Sequence, residues 1–301
     1  MMIKTNLKNI YAITKTAFKK WWSKDPFRES AVIAYYSIFS LPGLLVVITT
    51  LAGYFFGRDV ASIHVIDQIS SVLGADTAGQ IKIMIEKASE NSNSFLATAV
   101  GVVTITVGAT GVFAQFQKSL NNIWEVKTDE SKSGIWNIIK VRFFSFGIIV
   151  AVAFILIVSL VISATLSAFG NWLSGHFSET FSVALQLLNS VFSLFILTVL
   201  FAIMFKIFPD AKIKWKHVWI GSLVTAFLFE IGKFCLGLYF GKLNPGTGYG
   251  AAGSIILILL WVSYSSMIVF YGAEFTHAYA NLYSGKMPPT EIAKKATGNA
   301  S

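Results

Sequence analysis

The stretch AAGSIILILLWVSYSSMIVFYGA, Ala251–Ala273, carries no charged side chain and decides the fold. A helix rising about 1.5 Å per residue needs roughly 20 apolar residues to cross a hydrocarbon core of about 30 Å. This segment meets that length. Five more stretches have the same character: residues 30–57, 91–117, 143–178, 180–205 and 217–229 are uncharged. The last is interrupted by Glu230 and Lys233 and resumes over 234–241. The chain therefore reads as all-α, a polytopic membrane protein with six transmembrane helices. Their expected spans are about 31–56, 94–116, 143–168, 181–206, 217–240 and 250–276.

Basic residues orient these spans. Most of the 24 Lys and Arg fall in four places: residues 1–29, the connection holding Lys118, Lys127, Lys132, Lys140 and Arg142, the turn Lys206–Lys216, and the tail with Lys286, Lys294 and Lys295. The opposite side receives Arg58, Lys82, Lys87 and Lys242. The positive-inside rule then makes both termini cytoplasmic, in what is expected to be a bacterial inner membrane. The lead before the first span is too long and basic for a cleavable signal, so that span is expected to stay in the mature protein.

Composition narrows the function. With 54% hydrophobic and 13% charged residues the chain is too apolar for a soluble domain, and its net charge of +9 is accounted for by the basic loops without a nucleic-acid partner. Cys235 is the single cysteine, and His64, His176, His217 and His277 lie in separate segments. No metal site, cofactor or catalytic constellation is expected from such spacing. Membrane lipids are the expected partners.

Ahead of the first span, Leu7, Ile10, Tyr11, Thr14, Phe18 and Trp21 recur at helical spacing among lysines. They predict an amphipathic helix on the inner membrane face, anchored by Trp21 and Trp22. Residues 58–90 predict a short helical periplasmic segment between the first two spans. The second span is expected to continue as a helix through Leu120 and Trp124. The tail, 284–301, reads as disordered and cytoplasmic.

Charges inside a span are costly and mark candidate sites. Glu230 and Lys233 stand three apart on one helical face and are placed to pair. Depth counting puts Ser159, Ser163, Gln186 and Asn189 in the same half of the bilayer, where with the charged pair they would line a polar cavity. The competing interpretation is a self-neutralised pair with polar residues joining neighbouring helices. Glu274 falls at the cytoplasmic end of the last span and is expected to form an ion pair, with Arg142 the first candidate and Lys118 or Lys206 the alternatives. Pro42 and Gly43 predict a break in the first span. Gly53 with Gly57, Gly108 with Gly111, and Gly237 with Gly241 predict close helix contacts, and an oligomer formed through GxxxG packing is one use of them. The glycine-rich run Gly246–Gly253 lacks the GKS/T ending of a phosphate loop and predicts a tight turn into the last helix.

The blocks AYYSIFSLPGLL (Ala34–Leu45), GATGVFAQFQKSLNNIWEV (Gly108–Val126), FPDAKIKWKHVWIG (Phe208–Gly221), FEIGKFCLGLYF (Phe229–Phe240) and YGAAGSIILILLWVSYSSMIVFYGAEF (Tyr249–Phe275) resemble the YihY / virulence factor BrkB family of bacterial inner-membrane proteins. The resemblance implies six transmembrane helices and supplies no catalytic motif. Members carry a ribonuclease BN label, a link to serum resistance, or a proposed role in exporting or flipping envelope components. RNA hydrolysis fits poorly, since the cytoplasmic loops offer only Glu125, Asp129, Glu130 and Asp210 among basic residues. The reading is a non-enzymatic transporter or flippase-like exporter of a lipid or amphipathic envelope component. A structural or assembly factor of the envelope is the alternative.

Overall fold

The computed structural model describes residues 7–40, 95–128, 179–243, 245, 247–285, 287–290 and 293–295, with isolated positions between 63 and 83. Among them run α1 (Leu7–Ser23), α2 (26–40), α3 (Phe95–Ile123), α4 (Glu179–Ile207), α5 (Trp215–Leu243) and α6 (Gly253–Ser284). Two three-residue strands complete the set, β1 (Val126–Thr128) and β2 (Ala293–Lys295). The predicted third span lies outside the described residues, as do residues 41–56 of the first and nearly all of the periplasmic segment.

Among the described residues, three segments are long and apolar enough to cross a membrane: Ser190–Ile207, Trp215–Leu243 and Ile255–Ser284. Their outward faces stay apolar. Leu187, Val191 and Phe195 of α4, Phe227, Phe234 and Leu238 of α5, and Leu260 of α6 are all exposed, the pattern of helices surrounded by hydrocarbon rather than water. In lipid no hydrophobic force drives helices together, so close contact and hydrogen bonding must do it.

The α5–α6 crossing shows how. Gly221 faces Thr276 and Gly272 faces Thr225, so two Gly-x-x-x-Thr segments interlock in antiparallel register. A Cβ added to Gly221 would lie 1.8 Å from Thr276 Oγ1, and one on Gly272 would lie 1.9 Å from Thr225 Oγ1. Each threonine hydroxyl donates 2.7 Å to the carbonyl four residues earlier, at Gly221 or Gly272, which satisfies it within its own helix. The backbones can therefore approach without stranding a polar group.

The predicted glycine contacts divide. Gly108 abuts Ser40 and Phe39, and Gly111 lies against the Tyr36 ring, so α3 packs closely on α2. At Gly237 and Gly241 an added Cβ would meet nothing within 4 Å among the described residues, so the close contact expected there is not made with them. The glycines of α5 that pack on α6 are Gly221 and Gly232, which lie on the face turned to it. Gly53 and Gly57 lie outside the described residues.

Two further differences concern the ends of the chain. Helix α1 buries Ile13 and Ala17 against Phe275, Ala278 and Tyr279 of α6, while Ile10, Tyr11, Phe18 and Trp22 remain exposed. It therefore carries apolar surface on two sides, one for protein and one outward. The tail is not disordered throughout. β2 pairs antiparallel with β1, Val126 opposite Lys295, and Ala211 bridges to Pro289. Lys212 N–H donates to the Pro288 carbonyl at 2.9 Å, Thr290 N–H to the Asp210 carbonyl at 2.9 Å, and Met287 is buried in the core. Composition underestimates such a segment, because its order comes from backbone partners on distant loops. The glycine-rich run forms a 3₁₀ turn, Thr247–Ala252, leading directly into α6.

Candidate functional site

Glu230 and Lys233 occupy the apolar middle of α5, about 22 and 27 Å along its axis from Trp215. The Lys233 ammonium stands 2.7 Å from Glu230 Oε2, and both side chains are partly exposed. Glu230 Oε1 is buried with no hydrogen-bond partner among the described residues. The pair lies off the α6-facing side of the helix, since Gly232 meets Ile268 and Tyr264 while Leu236 and Phe240 pack with Ile258. Toward the other end of α5 it is followed by Gly237 and Gly241, where the surface is open among the described residues. Gln186 and Asn189 belong to α4, but their side chains are not described. Ser159, Ser163, Pro42 and Gly43 lie outside the described residues.

A second polar cluster gathers where α1 bends into α2. Lys24 follows the end of α1, Asp25 adopts φ 52°, and Pro26 opens α2, where its lack of an N–H is harmless. The Lys24 ammonium lies 2.6 Å from Glu274 Oε1 and donates to the carbonyls of Asn122 (3.1 Å) and Ile123 (3.3 Å). It thus neutralises a carboxylate of α6 and caps the negative end of α3 together. Lys118 is exposed, and Lys206 donates to the Ile213 carbonyl. Arg142 lies outside the described residues.

Around this cation, Glu29 of α2 accepts from Gln115 (2.7 Å) and Ser119 (2.6 Å) and stands 3.5 Å from Arg28. Lys20 pairs with Glu125 at 2.8 Å, and that hydrogen bond chiefly holds the Glu125 carboxyl below its ordinary range, against the opposing effect of burial. His277 is buried, lies tilted against Trp124 with ring centroids 5.0 Å apart, and accepts from the Asn281 amide at Nε2. A cavity of about 20 Å³ lies between Trp21, Lys24, Glu29, Ser119 and Glu274.

One polar centre was missed by sequence reasoning. Asp210 is buried, and its carboxylate accepts from Asn121 (2.8 Å), Thr128 (3.0 Å) and Gln117 (3.3 Å), while its N–H donates 2.7 Å to Asn121 Oδ1. Gln117 and Asn121 are one helical turn apart on α3, and Asp210 closes the α4–α5 turn. The signal was present as polar residues persisting on an otherwise apolar helix, without any mark of their partner. Among the described residues no group of His, Cys, Asp and Glu is arranged to hold a metal ion.

Long apolar helices with an internal charged pair and polar clusters at their ends define an α-helical membrane protein. Residues 17–296 match the virulence factor BrkB family, and the chain belongs to it. It is similar to a UPF0761 membrane protein of Saccharophagus degradans, 24% identical over 269 residues, or 87% of this chain and 58% of that protein. A relative of the same name from Pseudoalteromonas atlantica is 25% identical, with 81% and 78% covered, and one from Pasteurella multocida is 26% identical, with 72% and 66% covered. The chain thus spans well under two thirds of the first relative's length. No solved structure matches.

Proposed function

We propose that the protein is a six-helix, multi-pass component of the bacterial inner membrane with both termini in the cytoplasm, acting without catalysis as a flippase-like exporter of a lipid or amphipathic envelope component. The observation that carries this reading is the Glu230–Lys233 pair, held inside an apolar helix, partly exposed, with one carboxylate oxygen unpartnered among the described residues. Intramembrane charges are retained against a cost of roughly 2.5–3.5 kcal/mol each on insertion scales, which favours a polar path. The six spans and their orientation rest on hydropathy and on the distribution of Lys and Arg. Placement of the outward side of α1 in the inner leaflet is supported by exposed Tyr11, Phe18 and Trp22 beside Lys15 and Lys19.

The short 2.7 Å contact also suits a second role, a structural or assembly factor in which the charges only neutralise each other. A double variant, Glu230→Gln with Lys233→Met, separates the two. In a folded, membrane-inserted double variant the exporter reading expects loss of the wild-type envelope phenotype. Full complementation by that variant would remove the pair from the mechanism.

A further inference from the structure

Glu274 is wholly buried, yet it lines the cavity at the α1–α2 bend. Neither of its oxygens accepts an aligned hydrogen bond from the described residues. Its charged neighbours are Lys24 at 2.6 Å and the Nδ1 of His277 at 3.8 Å, the latter beyond hydrogen-bond reach. Oε1 is held by the Lys24 ammonium, while Oε2 has no donor within hydrogen-bond reach among the described residues. The cavity, about 20 Å³, exceeds the roughly 10–15 Å³ that one water needs.

We propose that Glu274 is a proton-binding site, and that its occupancy sets whether the α1–α2 bend is latched to α6. The ligand is a proton rather than a metal cation for a steric reason. The place a metal would take, between Glu274 Oε1 and the carbonyls of Asn122 and Ile123, is filled by the Lys24 ammonium. A proton neutralises the carboxylate without displacing that group. Hydronium in the cavity passes its proton to Glu274, leaving water and a neutral carboxyl, while Lys24 keeps its own proton. Half-buried Lys24 and exposed Asn122 are among the residues that line the cavity.

Once neutral, Glu274 loses its charge attraction for Lys24, which stays with the carbonyl end of α3. The bend then remains on α3 and loosens from α6. Among the described residues, the charged and titratable groups around Glu274 are Lys24 at the bend, Glu29 and Arg28 on α2, and His277 on α6, with the Lys20–Glu125 pair behind them. This latch goes beyond the exporter reading and does not depend on it.

The test uses the full chain in lipid nanodiscs, with Cys235→Ser and a reporter cysteine at Ala278, buried where α1 meets α6. Its labelling rate is divided at each pH by that of an exposed cysteine at Ser23, which cancels the titration of the thiol itself. From about pH 8 to about pH 4, spanning the ordinary Glu and His ranges, the ratio should rise. A rise of about tenfold corresponds to about 1.4 kcal/mol of lost latching. An infrared protonated-carboxyl band should grow over the same range. Glu274→Gln should give a high, pH-independent ratio and lack the band, while His277→Gln and Glu29→Gln should keep the response. A flat ratio in the parent protein overturns the proposal by itself, whether or not Glu274→Gln folds. A response that survives in Glu274→Gln, or disappears in His277→Gln or Glu29→Gln, overturns it too.

Discussion

At the scale of single residues, Asp210 illustrates what burial does to a carboxylate among neutral donors. Its oxygens gather Asn121, Thr128 and Gln117, while its own backbone meets Asn121 and Thr290. One residue, through side chain and backbone together, thereby ties the end of α3, the α4–α5 turn and the tail. Asp210→Ala removes the acceptor and leaves the buried Asn121 amide unpaired, at about 1–3 kcal/mol, while half-buried Gln117 and exposed Thr128 can turn to solvent. Thermal unfolding in detergent should show Asp210→Ala markedly destabilised and Asp210→Asn less so, since the amide keeps one acceptor oxygen. Equal stability of Asp210→Ala and the parent would contradict this account. Glu274 shows the same logic with a cation: its partner Lys24 comes from a bend that composition describes only as basic and interfacial.

Among the elements, the α5–α6 crossing depends on two glycines, and the structure separates them from others of identical local sequence character. Gly272→Ala places a methyl against Thr225 and forces the helices apart, costing about 1–3 kcal/mol as overpacking does. Adding Thr225→Ala should recover part of that loss, because the two side chains compete for one space. Gly237→Ala meets nothing within 4 Å among the described residues and should be neutral or stabilise by up to about 1 kcal/mol through higher helix propensity. Unfolding midpoints of the three variants in one detergent check the order. If Gly237→Ala proves as harmful as Gly272→Ala, the close contact first expected at Gly237 would be restored. Helix α1 carries a related lesson, since periodicity predicted an amphipathic helix on the membrane face but not that Ile13 and Ala17 would dock on α6.

For the whole molecule, topology is the prediction that follows from charge. A periplasm-dependent reporter fused after Asp76 should be active, and one fused after Asp129 or Ser301 silent; the reverse pattern would invert the orientation. The sequence by itself determined the solvent of this protein and the type of its elements. Apolar runs are local and one-dimensional, and in hydrocarbon only helices or closed barrels satisfy the backbone. It also marked Glu230 with Lys233, because residues three apart on a helix meet whatever surrounds them. The tertiary structure alone decided which helix ends meet: Lys24 with Glu274, Asp210 with Asn121, the tail strand with Val126–Thr128, and Gly221 with Thr276. These pairings join residues tens to hundreds of positions apart, and their geometry is fixed by how the helices stack. No periodicity or charge count within one segment carries that information.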